Sequence, residues 1–185
     1  MPRRAYHHGS LREAVLAEAT ALVDAGEPLV LRELGRRLDV SHTAVHHHFP
    51  SVDALADALA ATWFGDLDRT MAAAVDDLPP ARTLDRFRAL GVAYVRYALA
   101  NPHRYRLQFR GGLVPEADAS FRRVLEAVVA CRRSVDAVTM TTLAWSAMHG
   151  LAMLWIDGAF RTRLDRRGVE ALTAQITSLL SKLLD

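Results

Sequence analysis

Residues 30–49 read VLRELGRRLDVSHTAVHHHF and contain the most informative local pattern in the chain. The first part of this stretch carries leucine every three or four residues, the spacing of one helical face, and it contains no proline. Asp39 follows where the chain must turn sharply, and aspartate tolerates the left-handed backbone conformation better than most residues. Ser41 is placed to cap a second helix, on which Val45 and Phe49 lie one turn apart. The pattern predicts two short helices joined by a tight turn.

The order of residue types in this stretch is typical of a helix-turn-helix. Gly35, Asp39 and Val45 supply a small residue, a turn residue and a buried aliphatic residue, which together let two helices cross closely. With Val45 inward, polar side chains remain on the outer face of the second helix, where they can meet the base edges and phosphates of DNA. We therefore interpret residues 30–49 as a helix-turn-helix that enters the major groove.

Short segments on both sides extend this pattern over the first third of the chain. They are Tyr6-His7-His8-Gly9 with Leu11-Arg12, Leu31-Arg32-Glu33-Leu34, Val40-Ser41-His42-Thr43-Ala44, His48-Phe49-Pro50 and Ala54-Leu55. Together they resemble the N-terminal domain of the TetR family of bacterial transcriptional regulators. Four positions depart from the family's usual residues: Gly35 stands for Ala, Asp39 for Gly, His46 for Tyr and Val52 for Lys.

The resemblance implies a set of DNA-binding residues. Arg32 and the outer face of residues 41–47 would read bases, whereas His46, His48 and the N-terminal arm would hold phosphates. Residues 1–60 carry six arginines and eight acidic residues, a formal charge of −2, so position rather than bulk charge must supply the attraction to DNA. The predicted DNA-binding residues are Arg4, Tyr6, Arg32, Ser41, His42, Thr43, His46, His47 and His48.

The histidines of the second helix allow two further interpretations. His42 and His46 have the i, i+4 spacing that can chelate one metal ion from one helix face, but no carboxylate or thiolate stands at a spacing that completes a site. We therefore predict DNA contact and no metal. If His46 and His47 lie against phosphates, protonation should be favoured there, and DNA binding should strengthen as the pH falls.

Composition limits the class of protein. The chain has 185 residues and is 51% hydrophobic, enough for a small DNA-binding unit and a larger helical domain. The single cysteine, Cys131, excludes an intrachain disulfide, and no apolar run of secretory length precedes the first motif, which favours the cytoplasm. Residues 135–156 are the most apolar, but their polar and acidic residues favour a buried helix over a membrane span.

Helical periodicity continues to the end of the chain and predicts an all-α protein of about nine helices. The predicted domains are a helix-turn-helix DNA-binding domain at 1–55 and a helical ligand-binding and dimerisation domain at 56–185. One long helix from Ser51 to about Val75 would join them as a lever. The later predicted helices are 84–100, 103–109, 115–131, 135–156 and 169–184.

The second half resembles the C-terminal ligand-sensing domain of one TetR subgroup. This resemblance is carried by Ala144-Trp145 with His149-Gly150-Leu151, and by Ala93-Tyr94-Val95-Arg96 with Asn101-Pro102. The resemblance implies that the last two helices pair with their copies in a homodimer. The predicted dimerisation residues are Trp155, Leu172, Ile176, Leu179 and Leu183. The predicted ligand-binding residues are Tyr94, Tyr97, Tyr105, Phe109, Phe121, Trp145, Met148, His149 and Met153, although such stripes are also ordinary core.

These features favour a dimeric, ligand-responsive transcriptional regulator, a repressor by family habit. Its partners would be a palindromic double-stranded DNA operator and a small, mostly apolar effector with one or two hydrogen-bonding groups, and not a membrane. One alternative is a TetR-like small-molecule-binding protein with weakened DNA contacts. The other is an enzyme, but the sequence has no glycine-rich phosphate loop, no G-x-S-x-G and no H-E-x-x-H, so we predict no catalytic residues and no cofactor.

Overall fold

A computed structural model of the chain describes residues 8–111, 115–131, 135–160 and 162–184, with the backbone alone for 8–10. Two predicted DNA-binding residues, Arg4 and Tyr6, lie outside the described residues. Among the described residues there are nine α-helices and no strand, which confirms the all-α prediction. The helices are α1 His8–Asp24, α2 Leu31–Arg37, α3 His42–His48, α4 Val52–Asp76, α5 Thr83–Ala100, α6 Pro102–Gln108, α7 Ala117–Ala130, α8 Ala137–Ile156 and α9 Arg166–Ser181, followed by a 3₁₀ turn at Lys182–Leu184.

Several helices begin at capping side chains. Ser41 Oγ accepts a hydrogen bond from the Ala44 N–H at 3.1 Å, as predicted for the start of α3. Ser51 Oγ accepts one from the Ala54 N–H at 3.0 Å, as predicted for α4. The last helix begins three residues earlier than predicted, because Asp165 caps it. Each cap satisfies a backbone donor that the first helical turn leaves unpaired.

The chain divides into two compact units. Unit 1 comprises Met1–Trp63 and His103–Leu113, and unit 2 comprises Phe64–Pro102 and Val114–Asp185. The division falls inside α4, which the sequence predicted as one continuous helix. The predicted boundary after residue 55 separates DNA-binding from ligand-binding residues rather than compact units, and it stays a prediction.

Unit 1 is built on one apolar core, to which α1, α2, α3 and the first part of α4 contribute. Fully buried side chains of the helix-turn-helix, including Leu34 and Val45, pack there with Trp63 at the end of the unit's part of α4. Leu107 of α6 packs against the same core although it comes from a distant part of the chain. The core therefore holds α2 and α3 in a fixed relation.

In unit 2, α5 packs against α7, α8 and α9. The face of α9 that turns inward carries mainly small hydroxyl residues, whereas Leu179 of α9 is 61% exposed and Leu183 of the following 3₁₀ turn is 53% exposed. The Thr173 and Thr177 hydroxyls donate to carbonyls of their own helix, at 2.8 and 3.0 Å, so these side chains present methyl groups to the core. Within the described ranges, no helix combines the length and apolarity that a bilayer span requires.

Candidate functional site

The turn between α2 and α3 has the geometry that the sequence predicted. Asp39 has a φ of 53°, in the left-handed region. A Cβ on Gly35 would lie 3.2 Å from the Val40 carbonyl oxygen and 3.6 Å from Val45 Cγ2, so α3 crosses α2 closely at this point. Val40 N–H also donates to the Gly35 carbonyl at 2.9 Å. The close crossing at Gly35 and this hydrogen bond hold the two short helices against each other.

Polar side chains of α3 face outward around a buried Val45. Ser41, His42, Thr43, His46 and His47 are exposed, and His48 is half-buried. The rings of His42 and His46 lie 5.6 Å apart on one side of the helix. The structure thus brings the predicted base-reading residues of α3 onto one open surface.

Ser41 lies at the start of this surface, where its side chain caps α3. Its oxygen accepts the capping hydrogen bond, and a serine hydroxyl that accepts one bond still has a proton to donate. A phosphate oxygen is a suitable acceptor, and the positive end of a helix dipole adds to the attraction. We therefore expect the N-terminal end of α3 to hold an anion rather than a cation.

The three arginines of α2 differ in their partners. Arg36 donates to Glu33 at 2.6 Å, and Arg37 donates to Glu33 at 2.9 Å and to Glu27 at 2.6 Å. Arg32 is exposed and has no ion pair within the described part of the chain. Of these three guanidinium groups, that of Arg32 is therefore the most available for a base or a phosphate.

Arg12 was not among the predicted site residues. Its guanidinium carbon lies 5.4 Å above the centre of the Phe49 ring, at the end of α3. A cation over an aromatic face is held in position, and Arg12 is exposed on its other side. The sequence around Arg12 does not predict this contact, because the contact depends on how α1 packs against the end of α3.

The ion pairs of α2 give unit 1 a specific pH dependence. Hydrogen bonds from Arg36 and then Arg37 hold the pKa of Glu33 at about 2, below its usual 4.5. Because the folded pKa is depressed, the ionised carboxylate stabilises the fold above about pH 4.5, and this contribution is lost as the pH falls towards 2. We expect Glu33→Gln to lower the free energy of unfolding slightly near neutral pH, with a difference from wild type that shrinks as the pH falls.

Denaturant titrations at several pH values measure this difference. Glu13→Gln is the matched control, because it removes one carboxylate at an exposed position of α1, outside the ion pairs of α2. The expected effect is small, since exposed ion pairs contribute little net stability. A difference between Glu33→Gln and wild type that stayed constant down to acidic pH would contradict the assigned ion pairs.

Unit 2 contains a small apolar cavity of about 20 Å³, room for roughly one water molecule. It is lined by Met71, Phe87, Leu90, Gly91, Tyr94, Val124, Ala144, Trp145, Met148, Thr177 and Leu180. Tyr94, Trp145 and Met148 were predicted ligand-binding residues. The remaining lining residues include Gly91 and Thr177, which approach each other closely where α5 meets α9.

An aromatic cluster stands beside the cavity. The ring centre of Trp145 lies 5.1 Å from that of Tyr94 and 5.9 Å from that of Phe121. Tyr94 Oη is 3.1 Å from Nδ1 of His149, which is half-buried, and burial lowers the pKa of this imidazole. The structure therefore brings together in unit 2 five of the predicted ligand-binding residues: Tyr94, Phe121, Trp145, Met148 and His149.

The other predicted ligand-binding residues lie elsewhere. Tyr97 is buried in α5 and Met153 half-buried in α8, and neither lines the cavity in the described part of unit 2. Tyr105 and Phe109 belong to unit 1, where their rings pack 4.9 Å apart. Their assignment to a ligand site stays a prediction.

Two buried polar side chains were missed by the sequence analysis. Gln108 in unit 1 and Ser120 in unit 2 are 1% and 0% exposed, and their side chains have no hydrogen-bond partner within the described residues. The other buried serine and threonine hydroxyls in the described ranges, those of Thr141, Thr173, Thr177 and Ser181, donate to carbonyls of their own helices. The signal for Ser120 was its position on the buried stripe of α7, between Ala117 and Val124.

The last two long helices, which pack against each other, carry exposed apolar side chains. Leu143 and Leu154 of α8 are 46% and 47% exposed, and the predicted dimerisation residues Leu179 and Leu183 are more exposed still. Trp155, Leu172 and Ile176 are half-buried. Across the described residues, no group of three or more histidine, cysteine, aspartate or glutamate side chains is arranged to hold a metal ion.

Comparisons with known proteins identify relatives of the whole chain and of its second half. The family described as "Tetracyclin repressor-like, C-terminal domain" matches residues 87–179, half of the chain. No curated protein matches the chain. A protein of unknown function from Rhodococcus sp. RHA1 is 28% identical, with a TM-score of 0.82 over 97% of this chain and 98% of that one.

Two more distant solved structures share the fold. PfmR, a TetR family transcriptional regulator from Thermus thermophilus, is 18% identical, with a TM-score of 0.64 over 91% of this chain and 97% of that one. A variant of TetR from Acinetobacter baumannii AYE in complex with minocycline is 16% identical, with a TM-score of 0.66 over 97% of this chain and 99% of that one. At these identities the likeness concerns the fold.

Proposed function

The chain belongs to the TetR family of transcriptional regulators, and from this premise we propose that it is a dimeric repressor that binds a palindromic DNA operator and responds to a small apolar effector. The observation that carries the proposal is the outer surface of α3. Five exposed polar residues surround the buried Val45 there, in a helix-turn-helix whose turn and crossing are fixed. Such a surface fits the major groove.

The residues of unit 1 divide into two roles in this proposal. Arg32 and the side chains of His42, Thr43 and His47 read base edges, because they are exposed on α2 and α3. Ser41, His46 and His48 contact phosphates together with the N-terminal arm. Arg12 is added to the phosphate contacts, since its guanidinium is held beside the end of α3.

In a homodimer, the second subunit supplies a second DNA-recognition helix. The exposed leucines of α8 and α9 support an interface in which these helices pair with their copies, since a monomer would leave this apolar surface in water. Two recognition helices related by a two-fold axis read the two halves of a palindrome. This is the reason for proposing a palindromic operator.

The effector is proposed to bind in unit 2. The apolar cavity supports this assignment, and so does the fact that the Acinetobacter baumannii TetR variant was solved in complex with minocycline. Helix α4 contributes residues to both units, so a shift in its second part is carried into its first part. The effector releases the operator only to the extent that it binds the DNA-free state more tightly.

The direct test is selection of bound fragments from random or genomic DNA by the purified protein at stated salt. We expect a palindromic sequence, and we expect Arg32→Ala to bind it about tenfold more weakly, the loss typical of one base contact. Arg36→Ala is the matched control, because it removes the same charge one turn along α2 from a guanidinium already paired with Glu33. Equal losses from the two variants would contradict a base-reading role for Arg32.

A second candidate function follows if no sequence is enriched even at low salt. The paired arginines of α2 and the −2 charge of residues 1–60 would then favour a TetR-like protein that binds a small molecule without an operator. Binding of a small molecule without turnover would separate that candidate from an enzyme.

A further inference from the structure

We propose that the effector is an uncharged, largely apolar molecule with one hydrogen-bonding group, and that Ser120 of α7 binds this group. The inference rests on the proposed function for the idea that unit 2 holds an effector. It goes beyond that function by disfavouring an ionised ligand and by naming the residue that recognises the hydrogen-bonding group. Ser120 lies outside the set of residues that the sequence predicted.

The first argument is the unsatisfied hydroxyl of Ser120. Its side chain is 0% exposed and has no hydrogen-bond partner within the described residues. A buried hydroxyl that loses water without gaining a partner destabilises the fold. Buried hydroxyls elsewhere in unit 2, such as those of Thr141 and Thr173, avoid this loss by donating to the carbonyl four residues earlier. Ser120 is therefore suited to a partner that comes from outside the chain.

The second argument is the position of Ser120 along α7. Ser120 and Val124 share the buried face of this helix, one turn apart, and Val124 lines the apolar cavity. The neighbouring Phe121 packs against Trp145, which also lines the cavity. Ser120 itself does not line the cavity, so the proposed ligand has to extend past Val124 by one helical turn along the buried face of α7 to reach it.

The third argument concerns the charge of the ligand. No charged side chain lines the cavity in the described part of unit 2, so an ionised group would be buried without a counter-ion. The lining hydroxyl of Thr177 donates within its own helix, and that of Tyr94 lies within hydrogen-bond distance of His149. Burial lowers the pKa of His149, so the imidazole beside the cavity favours its neutral form. Each of these features disfavours a carboxylate or an ammonium ligand.

The cavity must enlarge to admit such a ligand, since about 20 Å³ accommodates little more than one water molecule. Met148 lines the cavity and is unbranched, so it can change rotamer at low cost. Trp145 is only half-buried, and neither Tyr94, which it meets edge-on, nor Phe121, which it meets at a tilt, stacks flat against its ring. Enlargement therefore needs side-chain movement at these two residues.

Three probes of one shape test the inference: 4-propylphenol, propylbenzene and 4-propylbenzoate. Calorimetric titration of the full-length protein without DNA should show that 4-propylphenol binds most tightly and 4-propylbenzoate most weakly. Ser120→Ala should weaken 4-propylphenol about five- to tenfold, the loss of one hydrogen bond, and leave propylbenzene unchanged. Ser146→Ala, at an exposed position of α8, is the matched control and should change neither probe.

Thermal unfolding of the same variants separates recognition from a structural role. Removing an unpaired hydroxyl should leave the midpoint of Ser120→Ala equal to that of wild type or higher, whereas a structural serine would lose stability on substitution. The inference is overturned if no probe binds, if the benzoate binds most tightly, or if Ser120→Ala weakens the phenol and propylbenzene alike. Because DNA is absent, these results are independent of operator selection. If the probes bind as expected but no operator sequence is selected, the proposed repressor function is contradicted and the proposed ligand site is still supported.

Discussion

Replacing Leu179 and Leu183 together by glutamate is expected to convert the proposed dimer into a monomer and to weaken operator binding about 100-fold or more. The two side chains are 61% and 53% exposed in the single chain, so their apolar surface is available to a partner helix. In a dimer, two carboxylates per subunit would be placed in an apolar interface without counter-ions. The affinity for the operator falls because a monomer presents one recognition helix to the DNA rather than two.

Sedimentation equilibrium and operator titration measure the two effects on the same preparation. Lys182→Glu is the matched control, because it changes the formal charge by the same two units at an exposed position next to Leu183. That variant should remain a dimer and bind the operator with at most a small loss. A Leu179→Glu, Leu183→Glu protein that sedimented as a dimer would exclude the end of α9 and the following 3₁₀ turn from the interface.

The helix-turn-helix was predictable because short-range rules specify it. The cap at Ser41, the left-handed turn at Asp39 and the small residue at Gly35 each act within a few residues of sequence. Their combined effect requires the buried Val45 to face inward, which leaves His42, His46 and His47 exposed. The structure confirms each of these local features.

The inner face of α9 was not predictable from its composition. Thr173, Thr177 and Ser181 are polar in sequence, yet they form most of the buried face that packs into unit 2, while Leu179 is 61% exposed. Their hydroxyls are satisfied by carbonyls of the same helix, so their small size rather than their polarity decides how closely α9 can approach. Sequence periodicity identifies a stripe but does not say which partner covers it.

The candidate ligand site was predicted only in part, for a similar reason. Tyr94, Trp145 and Met148 line the cavity of unit 2, whereas Tyr105 and Phe109 lie in unit 1. Both residues lie in the segment His103–Leu113, which belongs to unit 1 although the residues before and after it belong to unit 2. That assignment depends on long-range contacts, such as the packing of Leu107 against the unit 1 core. Aromatic residues at helical spacing show that a face is buried, but they do not show in which unit.

The second large effect is expected at Gly91, where α5 and α9 meet. A Cβ added there would lie 2.6 Å from Thr177 Cγ2 and 3.4 Å from Met148 Sδ. Rotating the threonine to relieve this clash would break the bond from its hydroxyl to the Thr173 carbonyl, and the side chain is only 2% exposed. We therefore expect Gly91→Ala to lower the free energy of unfolding by about 1–3 kcal/mol, the usual cost of overpacking.

Gly150→Ala provides the matched control for Gly91→Ala, since it makes the same substitution inside α8 at a position where an added Cβ meets nothing within 4 Å. Alanine is a better helix former than glycine, so this variant should gain about 0.5–1 kcal/mol. Thr177→Ser removes the clashing methyl and keeps the hydroxyl, and it should therefore restore much of the stability that Gly91→Ala loses. Denaturant unfolding of the single and double variants measures the coupling between the two positions. If the two alanine variants changed stability by the same amount, or if Thr177→Ser gave no rescue, Gly91 would not be the close contact between α5 and α9 that determines the shape of the cavity.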